Sequence, residues 1–105
     1  MRVLGPDSPD TLVTRHNLAF WLGEAGMLEK AVVAWQELLV DRLRVLGPDD
    51  PDTLRTRDSL AFWLGRAGRF DEAIAASQEV LADQVRVLGP DDPTTLATRS
   101  NLAYL

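Results

Sequence analysis

The chain has 105 residues and a net charge of −5, from 11 basic and 16 acidic side chains. With 46% hydrophobic and 26% charged residues it is typical of a globular protein and fits one small domain. The negative net charge disfavours nucleic acid and acidic membranes as partners. No apolar run is long enough to span a membrane. Because the chain has no Cys, disulfides and thiolate metal sites are excluded. The N-terminus has no apolar signal-peptide core, which favours a cytoplasmic protein.

A repeat with a period of 42 residues organises the sequence. The hexapeptide RVLGPD occurs at residues 2–7, 44–49 and 86–91, and 26 of 42 positions are identical when residues 2–43 are aligned with 44–85. The single domain 1–105 therefore contains two whole units (about 2–43 and 44–85) and a partial unit (86–105). Because the chain begins and ends inside a unit, we expect it to be a fragment of a longer array.

Five helices are predicted and no strand. In chain order they are α1 at about 9–25, α2 at about 28–46, α3 at about 51–67, α4 at about 70–88, and α5 from about 93 to the end. The first helix of each unit begins with a capping residue followed by proline, at Ser8-Pro9, Asp50-Pro51 and Asp92-Pro93. Such pairs satisfy free N–H groups at a helix start, so each marks the beginning of a unit.

The hexapeptide is interpreted as the turn between units. Its Val and Leu complete the last turn of a helix, Gly ends that helix, and Pro prevents its continuation. Gly68 is expected to end α3 in the same way, and the apolar stripe of α4 is expected to begin at Phe70. The motif is therefore assigned a structural role and not a ligand site.

The spacing of Leu18-Ala19, Gly26 and Ala31, and of their equivalents Leu60-Ala61, Gly68 and Ala73, resembles the tetratricopeptide repeat. The usual unit of that family has 34 residues, and the 42-residue period is similar to its longer form in kinesin light chains and actinobacterial repeat proteins. The resemblance implies a right-handed α-solenoid of antiparallel helix pairs, here about two and a half repeats. It also implies a concave groove lined by the first helix of each pair, which binds proteins or peptides.

Two positions depart from the family pattern. An aromatic residue is common in the middle of the second helix, where Trp35 fits but Ser77 does not. Arg15, Arg57 and Arg99 occupy a position that is usually apolar. These arginines are expected either to lay their stems over a neighbouring helix or to pair with carboxylates of the adjacent unit, such as Asp41 or Asp83.

Catalysis is not indicated. His16, Asp58 and Ser100 stand at equivalent positions of the three units, but packed helices are roughly 8–10 Å apart, too far for a hydrogen-bonded triad. No pattern of metal ligands or phosphate-binding glycines is present, so neither a metal nor a cofactor is predicted. The sequence indicates a protein that is not an enzyme.

The candidate groove combines aromatic and polar side chains. By family analogy Phe20, Phe62 and Tyr104 face the groove, whereas Trp21 and Trp63 lie toward the junctions between units. The alternative is that all five fill space between helices. The polar candidates are His16, Asn17, Glu24, Arg55, Asp58, Ser59, Arg66 and Asn101; Ser100 lies on the same face.

Two functions remain open at this point. The first is a scaffold that binds a peptide or a partner helix across the first helices of the units. The second is self-association, by end-to-end stacking or helix exchange, as the oligomerisation or regulatory segment of a larger signalling protein. Leu102 and Leu105 would then be exposed and available to another copy. The sequence identifies neither the partner nor the neighbouring domains.

Overall fold

Five helices make up the protein, as predicted. The computed structural model describes residue 5 and residues 7–104. The helices are α1 (Pro9–Glu24), α2 (Leu28–Leu46), α3 (Pro51–Arg66), α4 (Phe70–Leu88) and α5 (Pro93–Ala103), and no strand occurs within the described residues. The predicted bounds of α1 to α4 and the predicted start of α5 coincide with the observed ones or differ by one residue, because proline and glycine mark the ends locally. The predicted end of α5, at residue 105, lies outside the described residues. The predicted self-association residue Leu105 lies outside the described part of the chain.

The helix ends follow the capping chemistry at two of the three predicted starts. Asp50 Oδ1 accepts a hydrogen bond of 2.8 Å from the backbone N–H of Asp52, and Asp92 Oδ1 accepts one of 2.8 Å from Thr94. Ser8 stands at the equivalent position but its hydroxyl makes no capping hydrogen bond, so the prediction was wrong there. Gly68 ends the turn after α3 with φ of +81°, a backbone conformation that a side chain would strain.

Consecutive helices pack against each other in chain order, from α1 with α2 to α4 with α5. The pairs α1–α2 and α3–α4 form two helical hairpins, and α5 takes the place of the first helix of a third. The principal extents are 47 × 31 × 19 Å, and the shortest corresponds to about two helix diameters. The protein is therefore an all-α solenoid in which each hairpin buries its apolar face against the next.

One tryptophan forms the centre of the first junction between repeats. Trp63 of α3 is 2% exposed and its ring lies directly on Gly23 of α1, where an added Cβ would come within 2.6 Å of the ring. Trp21, one period earlier, is 65% exposed. Of the two tryptophans expected to lie toward junctions, Trp63 makes such a contact and Trp21 is largely exposed. Because Gly23 has no side chain, α1 and α3 can approach each other closely at this point.

Ion pairs connect the two helices of each repeat. Arg15 Nη1 lies 2.5 Å from Asp41 Oδ2, and Arg57 Nη1 lies 2.7 Å from Asp83 Oδ2. The carboxylates belong to the same unit as their arginines, so the expectation of pairing with the adjacent unit was wrong. The pKa of both aspartates is lowered, chiefly because the arginine donates a hydrogen bond to the carboxylate. Each arginine thus has a carboxylate partner in its own hairpin, at a position where the family usually has an apolar side chain.

The hexapeptide also contributes ion pairs, a role that the sequence analysis did not assign to it. Arg44, from the second copy, donates to Asp7 of the first copy with Nη1 2.9 Å from Oδ2. Arg86, from the third copy, donates to Asp49 of the second, with Nη2 2.7 Å from Oδ1. The arginine of one copy thus binds the aspartate of the preceding copy. An ion pair therefore links the turn before each hairpin to the end of the second helix of that hairpin.

Candidate binding groove

A cavity of about 300 Å³ opens where α3, α4 and α5 meet. We call it the second-junction cavity, because it lies between the second repeat and the helix that begins the third. Its lining residues are Asp58, Ala61, Phe62, Gly65 and Arg66 from α3, Phe70 and Ser77 from α4, Asn101 from α5, and Tyr104, which directly follows α5. The lining is mainly apolar with a few polar groups, as is usual in binding sites.

The substitution of Ser77 for Trp35 helps to explain the space at this junction. Trp35 is 1% exposed in the core of the first repeat, and the rings of Trp35 and His16 pack perpendicular to each other with their centroids 4.7 Å apart. At the equivalent positions the second repeat has Ser77 and Asp58, which are both smaller and both line the cavity. Two smaller side chains leave volume that the neighbouring helices do not fill.

Burial governs the ionisation of Asp58. It raises the pKa of this carboxyl above its usual value, and the hydrogen bond that Thr98 Oγ1 donates to Oδ1 at 2.8 Å opposes the shift. No basic side chain in the described residues makes an ion pair with Asp58. The carboxylate is thus a partly desolvated acceptor at the base of the site.

A cationic group lies over the aromatic side of the cavity. The guanidinium carbon of Arg66 is 5.8 Å from the centroid of the Phe62 ring and 5.6 Å from that of Trp63, within the range of cation–π attraction. Arg66 is exposed, while Phe62 is 39% exposed. The side chain is therefore positioned by the rings while its donors stay available to a ligand.

Five of the predicted groove residues meet at this cavity: Asp58, Phe62, Arg66, Asn101 and Tyr104. Tyr104 is 91% exposed and lies at the rim. The other predicted residues do not line the cavity. Asn17, Phe20, Glu24 and Arg55 are exposed on the surface, and Ser59 is half-buried.

His16 packs against other side chains and does not line the cavity. Besides its contact with Trp35, its Nδ1 lies 3.4 Å from Nη1 of Arg42, a guanidinium that is 4% exposed. Arg42 also donates to the Thr56 hydroxyl at 2.8 Å. The pKa of His16 is lowered, first by burial and then by the charge of Arg42, so the imidazole is neutral at pH 7.

Four residues of the cavity, Ala61, Gly65, Phe70 and Ser77, were not among the predicted site residues. Phe70, which was assigned to the apolar stripe of α4, is 56% exposed at the cavity instead of packed in the core. Gly65 and Ser77 also line it. The sequence signal for Ser77 was its departure from the aromatic pattern, and Gly65 repeats Gly23, which accommodates a tryptophan ring.

The described residues contain neither a cluster of metal-ligating side chains nor a helix that could span a membrane. No group of three metal-ligating side chains occurs among residues 7–104. In the same part of the chain, every helix is too short or too polar to cross a lipid bilayer. His16 and Asp58 contact Arg42 and Thr98 respectively and are not hydrogen-bonded to each other.

Comparison with protein families assigns the fold. The model of the tetratricopeptide repeat matches twice in succession, over residues 11–52 and 53–94, which is most of the chain. The chain belongs to the tetratricopeptide repeat family. Repeats of this family generally mediate protein–protein interaction, and the fold typically acts as a non-catalytic scaffold. No curated protein matches the sequence significantly.

Solved tetratricopeptide repeat structures are similar over almost the whole chain. Two crystal structures, described as a Podosopora anserina putative kinesin light chain with nearly identical TPR-like repeats, superpose with TM-scores of 0.80 (a point variant of that protein) and 0.78. Both are 26% identical in sequence and match 96% of this chain, which spans only 48% of theirs. These neighbours confirm the longer, kinesin-light-chain-like form of the repeat.

Proposed function

We propose that this tetratricopeptide repeat chain is a non-catalytic scaffold that binds a peptide or partner helix across the first helices of its repeats, with the second-junction cavity as the anchor point. The observation that carries the proposal is that five predicted groove residues from α3 and α5 line one mainly apolar cavity. A concave apolar site with a few polar groups is the usual form of a binding pocket. In the first repeat, Trp35 stands at the position of Ser77 and is only 1% exposed.

The side chains around the cavity favour a ligand of mixed chemistry. Phe62 and Phe70 provide partly exposed apolar surface that a hydrophobic side chain would cover. Arg66 and Asn101 provide donors for a carboxylate or a backbone carbonyl, and the amide of Asn101 also accepts. A peptide segment supplies both kinds of group, which is why we prefer it to a small apolar molecule.

Selection of peptides on the intact chain tests this function. Peptides enriched from a random displayed library are titrated against the parent protein, Phe62→Ala and Phe20→Ala. We expect Phe62→Ala to keep its helical circular dichroism and to weaken binding at least tenfold, since contact aromatics at the centre of an interface dominate affinity. Phe20→Ala is the matched control, because Phe20 has a similar exposure of 41% but does not line the cavity.

Two results would contradict the groove proposal. If Phe62→Ala loses its helicity, Phe62 belongs to the core. If both variants bind the selected peptides as the parent does, the anchor lies elsewhere on the surface.

Self-association is the second candidate, and one observation favours it. Trp21 is 65% exposed, whereas the equivalent Trp63 is buried against Gly23 in the first junction. A second copy that stacks in the same way would cover Trp21. Leu102, expected to be exposed, is half-buried, and Tyr104 rather than Leu102 offers apolar surface on α5.

Light scattering across a concentration series separates the two functions. Stacking through Trp21 predicts a molar mass that rises with concentration and returns to that of a monomer in Trp21→Ala. A constant monomer mass at every concentration rules this candidate out and leaves peptide binding unaffected.

A further inference from the structure

His16 is the only histidine of the chain, and it lies in the first repeat, away from the second-junction cavity. Its half-buried ring packs perpendicular to the ring of Trp35, with the centroids 4.7 Å apart. Its Nδ1 lies 3.4 Å from Nη1 of Arg42. The imidazole of α1 therefore contacts two residues of α2, one apolar and one charged, and its own charge state decides whether the second contact is favourable.

The contact with Arg42 determines which imidazole nitrogen carries the hydrogen. A guanidinium has N–H donors and no acceptor, so Nδ1 of His16 is the acceptor in this contact. The neutral ring therefore carries its hydrogen on Nε2. A second proton would bind to Nδ1, because that is the vacant ring nitrogen. The new N–H group would then point at the guanidinium, which has nothing to accept it.

Arg42 joins the first hairpin to α3. Its Nη1 donates to Thr56 Oγ1 at 2.8 Å and lies 3.5 Å from the backbone oxygen of Asp52, and both residues belong to α3. Thr53 of the same helix donates to the backbone oxygen of Arg42 at 3.4 Å. Arg42 is 4% exposed, and each group that the guanidinium contacts among the described residues is neutral. A new cation beside it would therefore disturb a buried charge that hydrogen bonds alone hold in place.

The charges around the imidazole disfavour its protonation. The pKa of His16 is lowered chiefly by burial, and then by the positive charges of Arg42 on α2 and Arg55 on α3, while Asp52 on α3 acts in the opposite direction. The folded chain thus binds this proton more weakly than the unfolded chain. The resulting stability is complete above the ordinary pKa of about 6.5 and is lost as the pH falls toward the lower folded pKa.

The second repeat does not reproduce this arrangement. The residues at the equivalent positions are Asp58 for His16, Ser77 for Trp35 and Gln84 for Arg42. No pair of cations can form there, because neither an aspartate nor a glutamine becomes positively charged. An effect of acid that acts through His16 is therefore confined to the first junction, and the second junction serves as a control within the same molecule.

We propose that His16 is an acid-sensitive switch of the first junction: an imidazole that takes up a proton stops accepting from Arg42, and the two cations move apart and loosen the hydrogen bonds from Arg42 to α3. Two positive groups at this distance repel each other strongly, because water screens them weakly in a half-buried site. Either the imidazole turns away from Trp35 or Arg42 moves away from Thr56. Both motions open contacts between packed helices, and neither depends on the groove function.

Nuclear magnetic resonance follows the switch directly, because a chain with one histidine gives one set of imidazole signals. The ¹H and ¹⁵N signals of the ring are recorded from about pH 8 to about pH 4 in the parent and in Arg42→Gln, which introduces the residue of the second repeat. We expect the Nε2–H tautomer at high pH and a pKa below about 6.5 in the parent. The pKa in Arg42→Gln is expected to be higher, since one of the repelling charges is gone.

Amide hydrogen exchange locates the effect in the fold. Protection factors are measured at Trp35 and Thr56, and at their equivalents Ser77 and Thr98, in the parent and in His16→Asn, whose side chain accepts a hydrogen bond but does not titrate. For each unit by which the pKa is lowered, protection at Trp35 and Thr56 should fall about tenfold from neutral pH to a pH below that pKa. We expect no such fall in His16→Asn, and none at Ser77 and Thr98.

Three results would overturn the proposal. The first is a pKa of His16 at or above about 6.5, and the second is a pKa that stays the same in a folded Arg42→Gln variant. The third is a loss of protection that is equal in His16→Asn or equal at both junctions. If circular dichroism shows that Arg42→Gln is less helical than the parent, the exchange comparison between the parent and His16→Asn decides, because it does not use that variant.

Discussion

The two junctions of this solenoid are formed by equivalent helices of successive repeats and differ in the side chains that fill them. In the first, Trp63 lies on Gly23 and Trp35 closes the core of the repeat, with both tryptophans at most 2% exposed. In the second, Ser77 stands in place of Trp35 and the helices leave a cavity of about 300 Å³. The exchange of Trp35 for Ser77 thus accompanies a candidate binding site where the first repeat has a packed core.

The buried polar positions also differ between the repeats. Arg42 of the first repeat, 4% exposed, donates to Thr56 of the second repeat, whereas Gln84, at the position equivalent to Arg42, is fully buried. Neither side-chain polar atom of Gln84 has a hydrogen-bond partner among the described residues. Trp35 Nε1 and Arg42 Nε are likewise without a partner among the described residues, so both repeats contain buried polar atoms that are not hydrogen-bonded, and the second junction differs chiefly in being less completely filled.

The largest expected effect is at the centre of the first junction. Trp63→Ala should lower the free energy of unfolding by about 3–5 kcal/mol, because it leaves a cavity where a large ring was buried. Trp21→Ala is the matched control one period away, and its exposed side chain should cost less than about 1 kcal/mol. Urea unfolding followed by circular dichroism measures both, and equal losses would show that the junction does not stabilise the fold.

A smaller loss is expected from the glycine beneath that tryptophan. Gly23→Ala adds a Cβ within 2.6 Å of the Trp63 ring, so we expect about 1–3 kcal/mol of destabilisation, although alanine normally favours a helix. The double variant Gly23→Ala/Trp63→Leu should lose less than the two single changes together, since the smaller side chain makes room. A stabilised Gly23→Ala variant would contradict the close contact.

The smallest expected effect concerns ionisation at the second junction. Because burial raises the pKa of Asp58, the folded chain binds its proton more tightly than the unfolded chain, and stability is lost as the pH rises through the folded pKa. Asp58→Asn should therefore be more stable than the parent at pH 7, with the difference disappearing by about pH 3, below the ordinary pKa of aspartate. The measurement is the unfolding midpoint as a function of pH.

Asp83→Asn is expected to change the stability in the opposite direction to Asp58→Asn. The hydrogen bond from Arg57 lowers the pKa of Asp83, so this carboxylate stabilises the fold above its unfolded pKa, and that contribution is lost as the pH falls through the lower folded pKa. The variant should be less stable than the parent at pH 7. If both aspartate variants shift stability in the same direction, the contrast between the two environments is wrong.

Local chemistry made the helices predictable from the sequence. Asp50-Pro51 and Gly68 specify a helix start and a helix end within a few residues, and the 42-residue period transfers that assignment to the other units. The equivalent positions of Arg15 and Arg57 also suggested that these arginines pair with carboxylates. The sequence did not indicate that each arginine and its carboxylate lie in the same hairpin. Which carboxylate an arginine reaches depends on how two helices cross, and the sequence does not state that angle.

The cavity was only partly predictable, for a different physical reason. The sequence shows that Ser77 replaces an aromatic residue, but not whether neighbouring helices move in to close the space or leave it open. Phe70 illustrates the difficulty: its position suggested a core residue, and it is exposed because the space beside it is not filled. The ion pairs between copies of the hexapeptide escaped prediction because their partners are 37 residues apart and the motif suggested only a turn.

The contrast between the junctions is tested most directly by titrating indole into the ¹⁵N-labelled chain and following the backbone amide resonances. Indole is the group that the first junction already contains. We predict saturable shifts around Gly65, Phe70 and Ser77, none around Gly23 and Trp35, and loss of the shifts in Ser77→Trp. Shifts that are spread over both junctions, or their absence at Ser77, would contradict the conclusion that the second junction is an open binding site.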